Sequence, residues 1–316
     1  MERGMGPSGR ASKQSHWLLC VVALMLLSAL VVFAPSMAAQ ALQTFTVADG
    51  PWEGTFDGTY LWISNRGANK VSKIEPGTGT ILATYPVGSA PTGILYDGAN
   101  IWTANLDSNN LTKLSASTGA VLGTYTVGTE PHELAFDGTN IWVTNGGTNN
   151  VTELNATTGA VVGTYAVGYY PFGITYDGTN MWVANFTSNS VTELRASDGA
   201  LVGTFLAGRH PLEVKFDGQY IWVANHGSSN VSKLQPSNGA NLGTFNFPVK
   251  AYGIGLDGTN VWVADDGANC VTKIQPDGTV LATYQVGTDP TSMTFYGSNM
   301  WVTNSVSSTV TKIPIN

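Results

Sequence analysis

Histidine and glutamate are the side chains here most able to do acid–base or ligating chemistry, and they gather in a narrow set of positions. His132 is followed directly by Glu133, and His210 stands three residues before Glu213. A histidine with a carboxylate beside it is the common form of a general base and its partner. The same residue types bind divalent metals, so His132, His210 and His226 are candidate ligands for one. No H-x-x-x-H, H-E-x-x-H or calcium-loop spacing is present, and neither is a serine elbow, phosphate loop or C-x-x-C pair. Any site must therefore be assembled by the fold from distant segments.

What positions them is a repeat. Asp137-Gly138-Thr139-Asn140-Ile141-Trp142-Val143-Thr144-Asn145 recurs in variants, and its tryptophans (Trp62, Trp102, Trp142, Trp182, Trp222, Trp262, Trp301) fall 40 residues apart, the last gap being 39. Each unit holds four short runs rich in β-branched and aromatic residues, separated by Asp-Gly, Asn-rich and Thr-Gly turns. Four strands per 40-residue unit is the pattern of a propeller blade, so an all-β, seven-bladed β-propeller with four antiparallel strands per blade is expected. The last unit stops before a fourth strand, and Gln43-Thr44-Phe45-Thr46-Val47 matches that missing run. The N-terminal strand is therefore expected to close the last blade. The recurrent Trp reads as packing between blades, the Asp-Gly pairs as hairpin turns, and the recurrent Asn as satisfying backbone groups in its own turn.

The seven copies can be compared with one another. Two loop sets share one face: the loop entering each Pro-led strand and the loop after each Trp strand. Around the Pro slot stand Glu130, Tyr170 and His210 before it, and Trp52, His132, Phe172 and Tyr252 after it. One place further on, Glu53, Glu133 and Glu213 replace the Gly93, Gly173 and Gly253 of the intervening blades, while Tyr169 and Arg209 join from the preceding turns. After the Trp strand the slot varies as Arg66, Phe186, His226 and Asp266. These residues are expected to form an exposed working face. Aromatics with carboxylates suit a small molecule, a glycan or a protein partner. Three function classes follow: a binding module, an enzyme with His132 or His210 as base and Glu133 or Glu213 assisting, and an architectural envelope protein. No cofactor is expected, although the residue types would admit a divalent metal.

Trp-Val-Ala-Asn and Trp-Val-Thr-Asn, followed by Ser-Asn-x-Val-Thr-x-Leu and Gly-Thr-Tyr-x-Val-Gly, resemble the YVTN-repeat family of exported bacterial β-propellers across residues 42–316. More distantly, the repeat is similar to that of the virginiamycin B lyase (streptogramin lyase) family. The first resemblance implies a fold. The second implies lyase chemistry by a histidine base with glutamate or metal assistance.

The first 41 residues have another character. Arg3, Arg10 and Lys13 precede an apolar run from Trp17 to Phe33, and Ala39-Gln40-Ala41 offers a small-residue cleavage site. This is the pattern of a secretory signal, so an exported chain, periplasmic or extracellular and cut after Ala41, is expected. Membrane association would require the signal to be retained as an anchor. Residues 42–316 then form a single domain, expected to be monomeric. Removing Arg3, Arg10, Lys13 and Glu2 moves the net charge from −7 to −9, which disfavours nucleic acid as a partner. Cys270 alone remains past the leader, so no intramolecular disulfide forms and packing must supply the stability.

Overall fold

A computed structural model describes residues 42–247 and 250–315; the leader and its cleavage site lie outside the described residues. The described residues form seven four-stranded antiparallel sheets, each the blade of a propeller. The third blade is representative: Pro131–Phe136 is innermost, followed outward by Asn140–Asn145, Asn150–Asn155 and Val161–Ala166. In the seventh sheet, Gln43–Thr46 pairs with Thr309–Pro314, with Phe45 opposite Val310. Phe45 also stacks on Trp301 at 5.9 Å between ring centroids.

The core is a ring of similar clusters, one at each blade junction. Trp142 packs with Ala135 and Val151 of its own blade and with Ile174, Met181 and Val183 of the next. Six of the repeated tryptophans are fully buried and Trp301 is 2 % exposed. Each such side chain removes about 150–250 Å² from water, so the blades cohere by hydrophobic burial.

The Asp-Gly turn does more than turn. Asp137 accepts the backbone N–H groups of Thr139 and Asn140 at Oδ1, and the Trp142 indole N–H at Oδ2, 2.8 Å away. One carboxylate thus closes the hairpin and fixes the indole. The seventh blade has Tyr296 in that slot, and the Trp301 indole nitrogen is left buried without a partner. The recurrent Asn does more than serve its own turn, where Asn65 and Asn304 donate to the Lys70 and Thr309 carbonyls. Asn145 donates mainly across to the third strand, to Asn150 and to Thr152, at 2.8 and 2.9 Å. It laces two strands together and is only weakly tied to its own turn.

Glycine matters most where one blade meets the next. Gly159 has φ of +73°, and a Cβ there would lie 1.8 Å from the Tyr125 ring of the preceding blade. Both conditions require glycine.

Candidate functional site

The varied face is presented by strained turns. Glu130, Tyr170, His210 and Asp289 all have positive φ, between 50 and 60°. Bulky residues rarely adopt that conformation, which costs on the order of 1–3 kcal/mol each. Each is held there by the preceding blade. The Asn109, Asn149, Asn189 and Asn269 side chains accept the N–H groups of Glu130, Tyr170, His210 and Asp289 at 2.8–2.9 Å. The Asn-rich turns of the repeat thereby set where the face's side chains start.

On this face lies an open cavity of about 450 Å³, to which Tyr170 contributes. Its walls are Tyr170, Phe172, Phe186, Leu212 and Tyr252, with His226 and Asp266 supplying the polar edge. His226 Nε2 lies 3.2 Å from Asp266 Oδ2, and its ring meets Tyr252 edge-on at 5.9 Å. Tyr252 also meets Trp52 at 6.2 Å, and the Arg66 guanidinium sits 4.6 Å above the Trp52 ring. Burial raises the Tyr252 phenol well above its usual pKa, and the Asp289 and Asp266 charges add to that.

The three histidines do not converge. His132 is 5 % exposed and stacks on Phe172 at 4.3 Å, with both ring nitrogens buried and unpartnered. Burial, helped by the Arg66 charge, pushes its pKa down to about 3, so it is neutral at any ordinary pH. His210 stacks on Phe186 at 4.5 Å. His226 alone has a carboxylate. Among the described residues, no group of three His, Cys, Asp or Glu is placed to hold a metal. The candidates His132, His210 and His226 therefore do not form such a group among the described residues.

The three glutamates also depart from expectation, since they are not on an exposed face. Glu133 and Glu213 are 6 and 5 % exposed, and with Glu53 they line the channel from alternate blades. Lys215 reaches in among them, its Nζ 2.7 Å from Glu213 Oε1, while its side chain keeps 29 % exposure through the open channel. Glu53 accepts the Ile94 N–H at 3.1 Å. Burial raises Glu53 to about 7, partly offset by Lys215 and reinforced by Glu213. Burial and the neighbouring Glu213 and Glu53 raise Glu133 well above the usual carboxylate range. Like charges crowded in a dry site favour protonation of some members. The intervening glycines are equally constrained: a Cβ on Gly173 would sit 2.5 Å from the Leu212 carbonyl oxygen. Lys215 was not among the candidates. Its signal lay in the inner strand, where the matching place is Thr55, Leu95, Ala135, Thr175, Gly255 or Thr294.

The remaining expected residues divide. Tyr170, Phe172, His226 and Tyr252 line the cavity, with Trp52 behind it. Glu130 and Arg209 are exposed, and Tyr169 is 67 % exposed. Phe186, Leu212 and Asp266, from the same varied loops, complete the wall.

Blade number, topology and an aromatic-lined cavity define a closed seven-bladed propeller with a ligand-sized cavity formed by three consecutive blades on its varied face. Compared with protein-family models and with curated proteins, the chain matches none. Among solved structures it is similar to virginiamycin B lyase from Staphylococcus aureus, with 20 % identity and a TM-score of 0.76 over 87 % of this chain and 99 % of that one. It is also similar to a streptogramin B lyase, with 19 % identity and a TM-score of 0.79 over 90 % of this chain and 100 % of that one. A third similar structure is a catalytically inactive histidine-to-alanine variant of the Staphylococcus aureus enzyme with quinupristin, at 19 % identity and a TM-score of 0.76 over 87 and 99 % of the two chains. At such identities the likeness is one of fold.

Proposed function

We propose that this chain is an exported binding protein for a small molecule with a flat, largely apolar body. The reading is carried by the cavity of about 450 Å³ whose walls are Tyr170, Phe172, Phe186, Leu212 and Tyr252. Concave, mostly apolar walls with few polar groups are the usual make-up of a small-molecule site. The leader-like first 41 residues support export. Phe186→Ala tests the reading. Titration with aromatic ligands, followed by intrinsic fluorescence, should show affinity reduced about tenfold or more, since hot-spot aromatics carry about 2 kcal/mol or more. The melting temperature should hold within a few degrees, because Phe186 is only half-buried. Unchanged affinity would remove the cavity from consideration.

A second reading is lyase chemistry, favoured by the His226–Asp266 pair at 3.2 Å on the cavity edge. A carboxylate holding an imidazole beside a substrate-sized space is a general-base arrangement. It replaces His132 and His210, which lack carboxylate partners here. Ring opening of a cyclic depsipeptide such as quinupristin, abolished by His226→Ala, would establish it. Turnover unaffected by that substitution would dismiss His226 as the base.

A further inference from the structure

Several charged groups of the varied face have a charged or hydrogen-bonding partner, whereas the half-buried Arg66 does not. Asp266 has His226 at 3.2 Å, Asp289 accepts the Ser305 hydroxyl, and Glu213 has Lys215 at 2.7 Å. Among the described residues, Arg66 makes no ion pair and its guanidinium donates no hydrogen bond; it rests on the Trp52 face. It is half-buried, from a slot that holds Leu106, Gly146 and Phe186 in the next three blades. The fold therefore makes no demand for a cation there. The cost of desolvating it is met only by the face of the Trp52 indole.

Its position connects it to the cavity. Trp52 touches both Arg66 and the wall residue Tyr252. The Arg66 charge is felt at Tyr170, Tyr252 and His132, which surround the opening. Beside it, His132 offers two further buried nitrogens without partners. The mouth is thus polarised, with an unpaired cation over Trp52 and carboxylates at Asp266 and Asp289, of which Asp266 Oδ1 is itself buried without a partner.

We propose that the cavity takes an aromatic monocarboxylate, whose ring lies against Phe186 and Tyr252 and whose carboxylate is gripped by Arg66. The proposal rests on the binding reading above and names its ligand class. Guanidinium and carboxylate match as a two-pronged fork, with strong charge-assisted hydrogen bonds. A dianion such as a phosphate monoester fits less well, because a single cation faces it while the Asp266 and Asp289 carboxylates repel the second charge.

The test is calorimetric titration of the mature chain with 2-naphthoate, 2-naphthamide and 2-naphthyl phosphate. These share a ring body and differ only in the head group. Wild type should bind the acid about tenfold or more tightly than the amide or the phosphate. Arg66→Gln should remove that preference and leave amide binding unchanged, and Arg66→Lys should restore part of it. Melting curves of both variants should match wild type, since the guanidinium supports no other group. Equal binding of acid and amide by wild type, lost equally in Phe186→Ala, would overturn the carboxylate assignment while leaving the cavity as a binding site. Preference for the phosphate would replace it with a dianion site. No binding of any of the three would overturn both.

Discussion

Replacing Lys215 with methionine should expose what the channel cluster costs. The substitution keeps the length and apolar stem of the side chain and removes the charge that faces Glu213 at 2.7 Å. Removing one partner of a buried pair costs about 3–5 kcal/mol, because the other charge stays buried and alone. Lys215 keeps 29 % exposure, so the lower end applies, about 3 kcal/mol. For a domain of this size that is roughly 6–12 °C in melting temperature. The loss should also depend on pH. Burial raises Glu53 to about 7 and Glu133 well above the usual range, so the native state holds protons that the unfolded chain has released. Stability from these groups is present in full below about pH 4.5 and declines as pH rises through about 7, by up to about 1.4 kcal/mol per pH unit for each group. Without the lysine, both groups rise further. Lys215→Met should therefore cost more at about pH 8 than at about pH 5, where the carboxylates can take up protons. Urea unfolding at the two pH values measures this, with Lys215→Met/Glu213→Gln recovering part of the loss at high pH. A loss under about 1 kcal/mol, or one equal at both pH values, would refute the picture of a charge-coupled channel.

Other expectations concern the scaffold. Trp182→Ala should cost roughly 3–5 kcal/mol in denaturant unfolding, because Trp182 is fully buried at a blade junction. Asp177→Ala should cost about 1–3 kcal/mol, since Asp177 Oδ2 accepts the buried Trp182 indole N–H at 2.7 Å and Oδ1 accepts two backbone N–H groups; a neutral outcome would mean that water replaces it. Deleting residues 42–47 should lower the melting temperature of the whole domain, as it removes Phe45 from Trp301 and bares the Thr309–Pro314 edge. An unchanged midpoint would show that the seventh blade stands without that strand.

The repeat determined the architecture because each blade is built from local rules. Period-2 strands, Asp-Gly turns and one Trp per 40 residues leave few ways to bury seven indoles, and a ring of blades is one. Internal comparison also located the face that departs from the repeat, and Tyr170, Phe172, His226 and Tyr252 do line the cavity there. What the sequence could not determine is which odd residues meet. Glu53, Glu133 and Glu213 come 80 residues apart and join only because closing the ring points alternate inner strands at one axis. There burial changes Glu53 and Glu133 from solvated carboxylates on a working face to proton-holding groups, next to the Glu213–Lys215 pair. His132 and His226 differ in the same way. Both read as histidines in varied loops, yet stacking on Phe172 leaves one neutral and unpartnered, while the blade junction gives the other Asp266. Residue type sets what a side chain can do; dielectric and neighbours, which only the closed ring supplies, set what it does.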